Sequence, residues 1–282
     1  MTPLRIISLF WVSTLVVSAQ DDIRLIEWTR GVAIEHPEEK RMAMYLWFYE
    51  WNMFEAMKPG AHTAGRRNFS KKISVDGKVA TIDSDELTLR ASAVADGAEL
   101  ELTAKNLTQH AWPEIAGIIP CFSPGQPEGK PTAAEHAFNP EFTDVNRKRT
   151  WFLSPKGLAL LDSRAIHFNR TLRNRVAIEA SKGRLPFDDK WPPSDVDASA
   201  GILIRESANG KWVAGIAWED YLSAQGHNPW YCMHLGVRVG PLKPGESKTI
   251  RGRMFLFPGD REECLRRIQS AFKKKAAAGT SR

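Results

Sequence analysis

From Lys71 to Asn106 apolar and polar positions alternate between two turn signals, Asp76-Gly77 and Asp96-Gly97. Leu87 to Ala95 alternates, and so does Glu99 to Asn106, with Leu100, Leu102 and Ala104 on one side. A period of two between tight turns predicts consecutive antiparallel strands with one wet face. Trp112 to Phe122 is a longer apolar run, and Ser123 to Asn139, rich in Pro, Gly and Glu, reads as a long loop. Thr150 to Leu153, Gly157 to Asp162 and Ala165 to Phe168 read as short strands, and Gly183 to Ser199 as a second polar loop. Ala200 to Glu206 and Lys211 to Trp218 pair through a turn at Asn209-Gly210, the latter with Trp212, Ala214, Ile216 and Trp218 on one face. Glu219 to Pro229 has loop chemistry, and Trp230 to Val239 is a second apolar strand stopped by Gly240-Pro241. Lys243-Pro244-Gly245-Glu246 turns into a strand over Ser247 to Phe257. Residues 260–275 predict a helix, with Asp260 as N-cap, acids first and lysines last.

The beginning is less regular. Gln20 to Gly31 is a polar lead-in with an apolar patch, and His36-Pro37-Glu38-Glu39 carries the marks of a helix start. Met42 to Met57 fits helical spacing through Met44, Trp47, Phe48, Trp51 and Phe54. It fits strand alternation equally well through Met42, Met44, Leu46 and Phe48, and periodicity alone does not choose. The sum is a mainly β chain: a large antiparallel β-sandwich with a C-terminal helix and, on one reading of Met42 to Met57, an N-terminal helix. No repeat or low-complexity linker divides residues 20–282, which are expected to form one domain.

Arg5, the apolar run Ile6 to Val17 and the small residues Val17-Ser18-Ala19 form a signal-peptide pattern over residues 1–19. The run falls short of the ~20 residues that span a bilayer, and no later segment is long and apolar enough. The expected location is therefore secreted or periplasmic, with no transmembrane segment after cleavage. The three cysteines, Cys121, Cys232 and Cys264, are too few for a disulfide scaffold. One pairing, Cys121 with Cys232, is favoured; three buried reduced thiols are the alternative. The net charge is +6, concentrated in Lys273-Lys274-Lys275 and in Arg164, Arg170, Arg173 and Arg175. Such a balance suits an anionic partner, a sulfated or uronic polysaccharide, a membrane surface or, ranked last for an exported protein and not expected here, nucleic acid; a solvated basic surface is the plainer reading. Asn68, Asn106 and Asn169 each begin a glycosylation sequon. There is no phosphate loop, no Gly-x-Ser-x-Gly elbow and no His-Glu-x-x-His, which argues against nucleotide enzymes, α/β-hydrolases and common zinc proteases.

The run Leu87 to Trp112, LTLRASAVADGAELELTAKNLTQHAW, resembles a motif of galactose-mutarotase-like domains. In these a hairpin turned at Asp-Gly, an alternating Leu strand and Asn-x-Thr lead to a Trp-containing strand. Gly240 to Phe257, GPLKPGESKTIRGRMFLF, is similar to the closing strands of that class. The resemblance covers roughly Ser74 to Phe257. It implies a β-supersandwich of the kind found in sugar epimerases and in modules of glycoside hydrolases and polysaccharide lyases. No acid/base pair aligns, so no catalytic role is inherited.

The densest chemistry lies in Gly215 to His234, GIAWEDYLSAQGHNPWYCMH. Acid/base work on a sugar needs two titratable groups about the reacting carbon. Glu219, His227 and His234 are candidates for one side; Glu50, Glu55 or His62 could supply the other if the aromatic segment packs over the same sheet. Arg66 or Arg67 could neutralise a uronate carboxylate. Trp218, Trp230 and Tyr231 are candidate sugar platforms, with His62 and Arg66 as further substrate contacts, because indole is flat and amphipathic; core filling is the plainer role for any one of the 10 tryptophans. Cys232 and His234 share a strand face, since the period is two, which allows a Cys-x-His half-site with His227 reaching in. No recognised zinc or copper spacing is matched, and the expectation is neither metal nor cofactor. The reading is an exported carbohydrate-active protein: an epimerase, lyase or hydrolase. Its rivals are a non-catalytic carbohydrate-binding module and a structural envelope protein. Oligomeric state is left open.

Overall fold

The computed structural model describes residues 23–28, 30–39, 41–53, 69–125, 138–183, 191–226 and 231–279. Sixteen strands and two helices follow in order: β1 (Arg24–Trp28), β2 (Gly31–Glu35), β3 (Ala43–Met53), β4 (Ser70–Ile73), β5 (Val79–Asp83), β6 (Leu87–Val94), β7 (Gly97–Lys105), β8 (Gly117–Ser123), β9 (Thr150–Ser154), β10 (Gly157–Leu160), β11 (His167–Phe168), α1 (Arg173–Ser181), β12 (Ile202–Glu206), β13 (Trp212–Trp218), β14 (Tyr221–Gln225), β15 (Met233–Arg238), β16 (Ser247–Pro258) and α2 (Arg261–Gly279). They form a seven-stranded sheet, β1-β2-β3-β8-β15-β14-β11, and a nine-stranded sheet, β10-β9-β12-β13-β16-β7-β6-β5-β4. Every pairing between named strands is antiparallel.

The two sheets are joined by the side chains that alternation points inward. Met44, Leu46 and Phe48 of β3, Phe122 of β8, and Met233, Leu235 and Val237 of β15 meet Leu100 and Leu102 of β7, Ile216 and Trp218 of β13, and Met254 and Leu256 of β16. Each such side chain is worth about 1.5–3 kcal/mol when fully buried. The outer faces are partly covered. α1 lays Val176 over Ile119, Phe168 and Leu222 of the seven-stranded sheet. α2 lays Cys264 and Ile268 over Ile204, Val213, Phe255 and Phe257 of the nine-stranded sheet. Strands β8 and β14, covered on both sides, are buried throughout.

The structure decides what the sequence left open and corrects some expectations. Of the stretch Met42 to Met57, Ala43–Met53 is an eleven-residue strand between β2 and β8, and 54–57 lie outside the described residues. His36 to Glu39 starts no helix; it turns β2 into β3, with the Met42 carbonyl accepting from the His36 amide and the His36 ring edge-on to Trp212 at 4.8 Å. The expected loop from Glu219 to Pro229 contains β14, because pairing with β15 and β11 satisfies its backbone. Helix α1 arises where no helix was expected. The sequon residues Asn106 and Asn169 are structural: Asn106, wholly buried, donates to the carbonyls of His110 and Leu242 at 2.9 and 3.0 Å, and Asn169 to that of Tyr221 at 3.0 Å. In the basic stretch, Arg173 pairs with Asp195 and Asp197, and Arg175 with Glu114.

Gly97, at the hairpin turn, holds β7 against β16. Its φ is +154°, and a Cβ built there would lie 1.9 Å from the Met254 carbonyl oxygen. Since backbone on both sides would have to move, Gly97→Ala is expected to cost about 3 kcal/mol, the upper range for overpacking, read as a lowered urea midpoint at unchanged slope.

Candidate functional site

The outer face of the seven-stranded sheet carries a polar cluster. On β8, Phe122 faces inward, so Cys121 faces outward; on β15, Met233 and Leu235 face inward, so His234 faces outward, as does Cys232 one residue before the strand. Cys121 and His234 are direct cross-strand partners. The third contributor is less regular. Trp47 of β3 pairs with Cys121 and Trp51 with Ile119, so β3 advances four residues while β8 advances two. This bulge stands opposite Pro120, which has no N–H to give the ladder. Strict alternation from Leu46 and Phe48 would send Glu50 into the core; the bulge brings it out beside Cys121 and His234.

One donor atom from each of Glu50, Cys121, Cys232 and His234 lies within 4.8 Å of every other. His234 Nε2 and Glu50 Oε2 are 2.9 Å apart. All four side chains are buried; Glu50, the most accessible, is 6 % exposed. Burial acts against a charged imidazole, but the Glu50 carboxylate and hydrogen bonds to Cys232 and Glu50 outweigh it and hold the His234 pKa up at about 10. Burial also acts against a Cys232 thiolate, yet hydrogen bonds from Cys121 and His234 draw its pKa down to about 7. Burial pushes the Cys121 thiol well up, helped by its neighbour Cys232. The cluster thus gathers an imidazole, a carboxyl group and two thiols into one buried site. Trp191, half-buried, flanks it with its ring centroid 6.1 Å from that of His234.

A second buried network anchors the chain where it enters β15. Arg205 of β12, 1 % exposed, donates to Thr150 Oγ1 at 2.8 Å, to the Phe142 carbonyl at 3.1 Å and to the Tyr231 carbonyl. Thr150 in turn donates to Asp144 at 2.7 Å. Tyr231 adopts φ +57°, a left-handed conformation that costs a non-glycine residue on the order of 1–3 kcal/mol and persists only where its surroundings impose it. The Arg205 guanidinium on its carbonyl is such a restraint, one residue before Cys232.

The candidates named from sequence fall in different places. His234 is in the cluster with Glu50, its expected opposite number. Glu219 is not: it pairs with Arg251, Nε to Oε2 at 2.9 Å, at the rim of the nine-stranded sheet. Partly exposed pairs of this kind contribute below about 1 kcal/mol, so Glu219→Gln is expected to shift the thermal midpoint hardly at all. Trp218 is 2 % exposed in the core between the sheets, where no sugar reaches it. Tyr231 is half-buried, its ring 6.5 Å from that of Phe138. His62, Arg66, His227 and Trp230 lie outside the described residues, as do Glu55 and Arg67. The favoured Cys121–Cys232 pair does come together, but with no disulfide between them; Cys264, also outside any disulfide, is buried on the inner face of α2. Sequence reasoning missed Trp191. Its signal was a tryptophan in the polar, proline-rich stretch before Asp195; in the structure it also packs against the apolar cluster under α1.

No family model matches the chain, and no curated protein matches it in sequence. Among solved structures it is similar to a galactose mutarotase related enzyme from Lactobacillus acidophilus, at 12 % identity and a TM-score of 0.39, over 85 % of this chain and 96 % of that one. It is similar to a galactose mutarotase-like protein from Lactobacillus casei, at 12 % identity and a TM-score of 0.40, over 83 % and 100 %. It is also similar to a polysaccharide lyase, at 10 % identity and a TM-score of 0.38, over 86 % of this chain but 34 % of the lyase. At such identities no residue role is carried over, and the chemistry is argued from this chain's own side chains.

Proposed function

We propose that the chain is an exported carbohydrate-acting enzyme, of the epimerase, lyase or hydrolase kind, whose acid/base chemistry is carried by Glu50 and His234. The observation behind this reading is the 2.9 Å contact between a buried carboxylate and a buried imidazole on one face of a sheet. General acid/base catalysis requires two titratable groups of fixed geometry, and groups held on strands of one sheet, here β3 and β15 on either side of β8, are fixed more tightly than groups on loops. Trp191 offers beside them a flat apolar face of the kind that stacks on a sugar ring. The substrate class rests on the sequence resemblance to sugar-handling domains, and export on the pattern of residues 1–19. Among the described residues no helix is long and apolar enough to cross a membrane.

The test is a screen of the protein against free aldoses and neutral and uronic oligosaccharides. Tryptophan fluorescence would report binding; anomer exchange by NMR and new reducing or unsaturated ends would report turnover. Turnover on any of these, lost in His234→Gln, supports the enzyme. Saturable binding without turnover would replace it with a binding module, and silence across the panel would remove carbohydrate from the reading.

A further inference from the structure

The four side chains of the cluster form a donor set. Two sulfurs, an imidazole nitrogen and a carboxylate oxygen lie within 4.8 Å of one another. Tetrahedral zinc, with bonds of about 2.3 Å to sulfur and about 2.0–2.2 Å to nitrogen or oxygen, needs donors roughly 3.3–3.8 Å apart. Side-chain rotations that draw the widest pair in by about 1 Å meet that requirement. The His234–Glu50 edge, at 2.9 Å, is shorter than this and would open by about 0.4 Å as the ion enters between the two donors.

The backbone is suited to the task. Cys121 and His234 are cross-strand partners, Cys232 lies two residues before His234 on the same face, and the bulge in β3 supplies Glu50. Three adjacent strands therefore hold Glu50, Cys121 and His234, and Cys232 sits one residue before β15. The donor chemistry discriminates among ions: thiolates and imidazole suit zinc and other soft or borderline metals, whereas magnesium and calcium take oxygen. The environment points the same way, because buried ionisable groups are stable when paired or when they coordinate a metal.

We propose that Glu50, Cys121, Cys232 and His234 together bind one Zn²⁺ ion on the outer face of the seven-stranded sheet. The ion takes the place of the protons held by the two thiols and the imidazole, which leave on binding. This deepens the proposed function and rests on it only in taking the same side chains as the working site: four protein ligands close a tetrahedral ion, so the zinc would polarise a sugar oxygen only where that oxygen displaces the Glu50 carboxylate, which is then free for proton transfer.

The protein, purified in reducing buffer, would be dialysed with zinc and then against metal-free buffer, and its metal measured by mass spectrometry. A cobalt-loaded sample would be read by absorption. Expected are about one zinc per chain, a thiolate-to-cobalt charge-transfer band, and the intense visible bands of tetrahedral cobalt. Cys121→Ser and Cys232→Ser should each lose the charge-transfer intensity and the retained zinc, while Cys264→Ser keeps both. The wild-type cobalt spectrum needs no variant, so misfolding of a serine variant leaves the inference testable. A wild-type spectrum without thiolate bands, zinc retention unchanged in both serine variants, or a Cys121–Cys232 disulfide in the exported protein would each overturn it. Zinc retained without turnover of any sugar would leave the metal site standing and remove the enzyme. Turnover by a chelated protein that holds no zinc would do the reverse.

Discussion

Glu50→Gln is expected to lower kcat/KM on the substrate found by screening about 10²–10⁴-fold, the contribution of one positioned acid/base group, while the far-UV spectrum stays that of the wild type. Glutamine has nearly the shape of glutamate and can still hydrogen-bond His234, so the bulge in β3 has no reason to rearrange; the charge and the proton it could carry are gone. His234→Gln should cost a similar factor. Because the two groups touch at 2.9 Å and would act as one unit, the double variant should be little worse than the worse single variant. A glutamine at 50 that leaves kcat/KM unchanged would take the carboxylate out of the chemistry and the proposed function with it. A uniform fall in expression and thermal midpoint, with turnover per folded molecule intact, would say instead that the pair only holds β3 to β15.

Most of the architecture was legible because alternation and turn residues agree wherever one strand face is wet. β6 and β7, with Leu100, Leu102 and Ala104 buried and polar residues between them, are the plainest case. Legibility failed where both faces are covered. β3 points Met44, Leu46 and Phe48 inward and Tyr45 outward into a second apolar cluster, so its sequence has no polar face to reveal a period. In β14, Ser223 and Gln225 are buried in a strand that looked like loop. Helix α1 was missed for the opposite reason: only Val176 in it is buried, too few apolar positions to make a stripe. Of the site, Cys232, His234 and Glu50 were readable as residue types with strand spacing. What the chain did not show was the bulge opposite Pro120 that sends Glu50 to the outer face, since register belongs to the pairing and not to either strand alone.

Arg205→Met is expected to destabilise the protein by about 3–5 kcal/mol, the usual cost of removing one partner from a buried charged network. Methionine fills the volume but leaves Thr150 Oγ1 and the carbonyls of Phe142 and Tyr231 without their donor. It also leaves the Asp144 carboxylate without the charge that the Thr150 hydroxyl relays to it. Burial alone would raise the Asp144 pKa; the Thr150 and Lys148 hydrogen bonds and the Arg205 charge overcome this and hold it below the ordinary value. A carboxyl depressed in the folded state adds stability that is present above its unfolded pKa of about 3.9 and is lost as the pH falls through the lower folded value. Removing Arg205 shrinks that contribution, so the gap between the two proteins should be full at neutral pH and narrow below about pH 4. Urea titrations at both pH values would measure it, and a gap that stays constant would mean that Arg205 and Asp144 are not coupled through Thr150. The same substitution frees the Tyr231 carbonyl and with it the left-handed turn that places Cys232. Its loss of zinc retention or of turnover should therefore exceed what the folded fraction accounts for, which separates a residue that positions the site from one that only stabilises the sandwich.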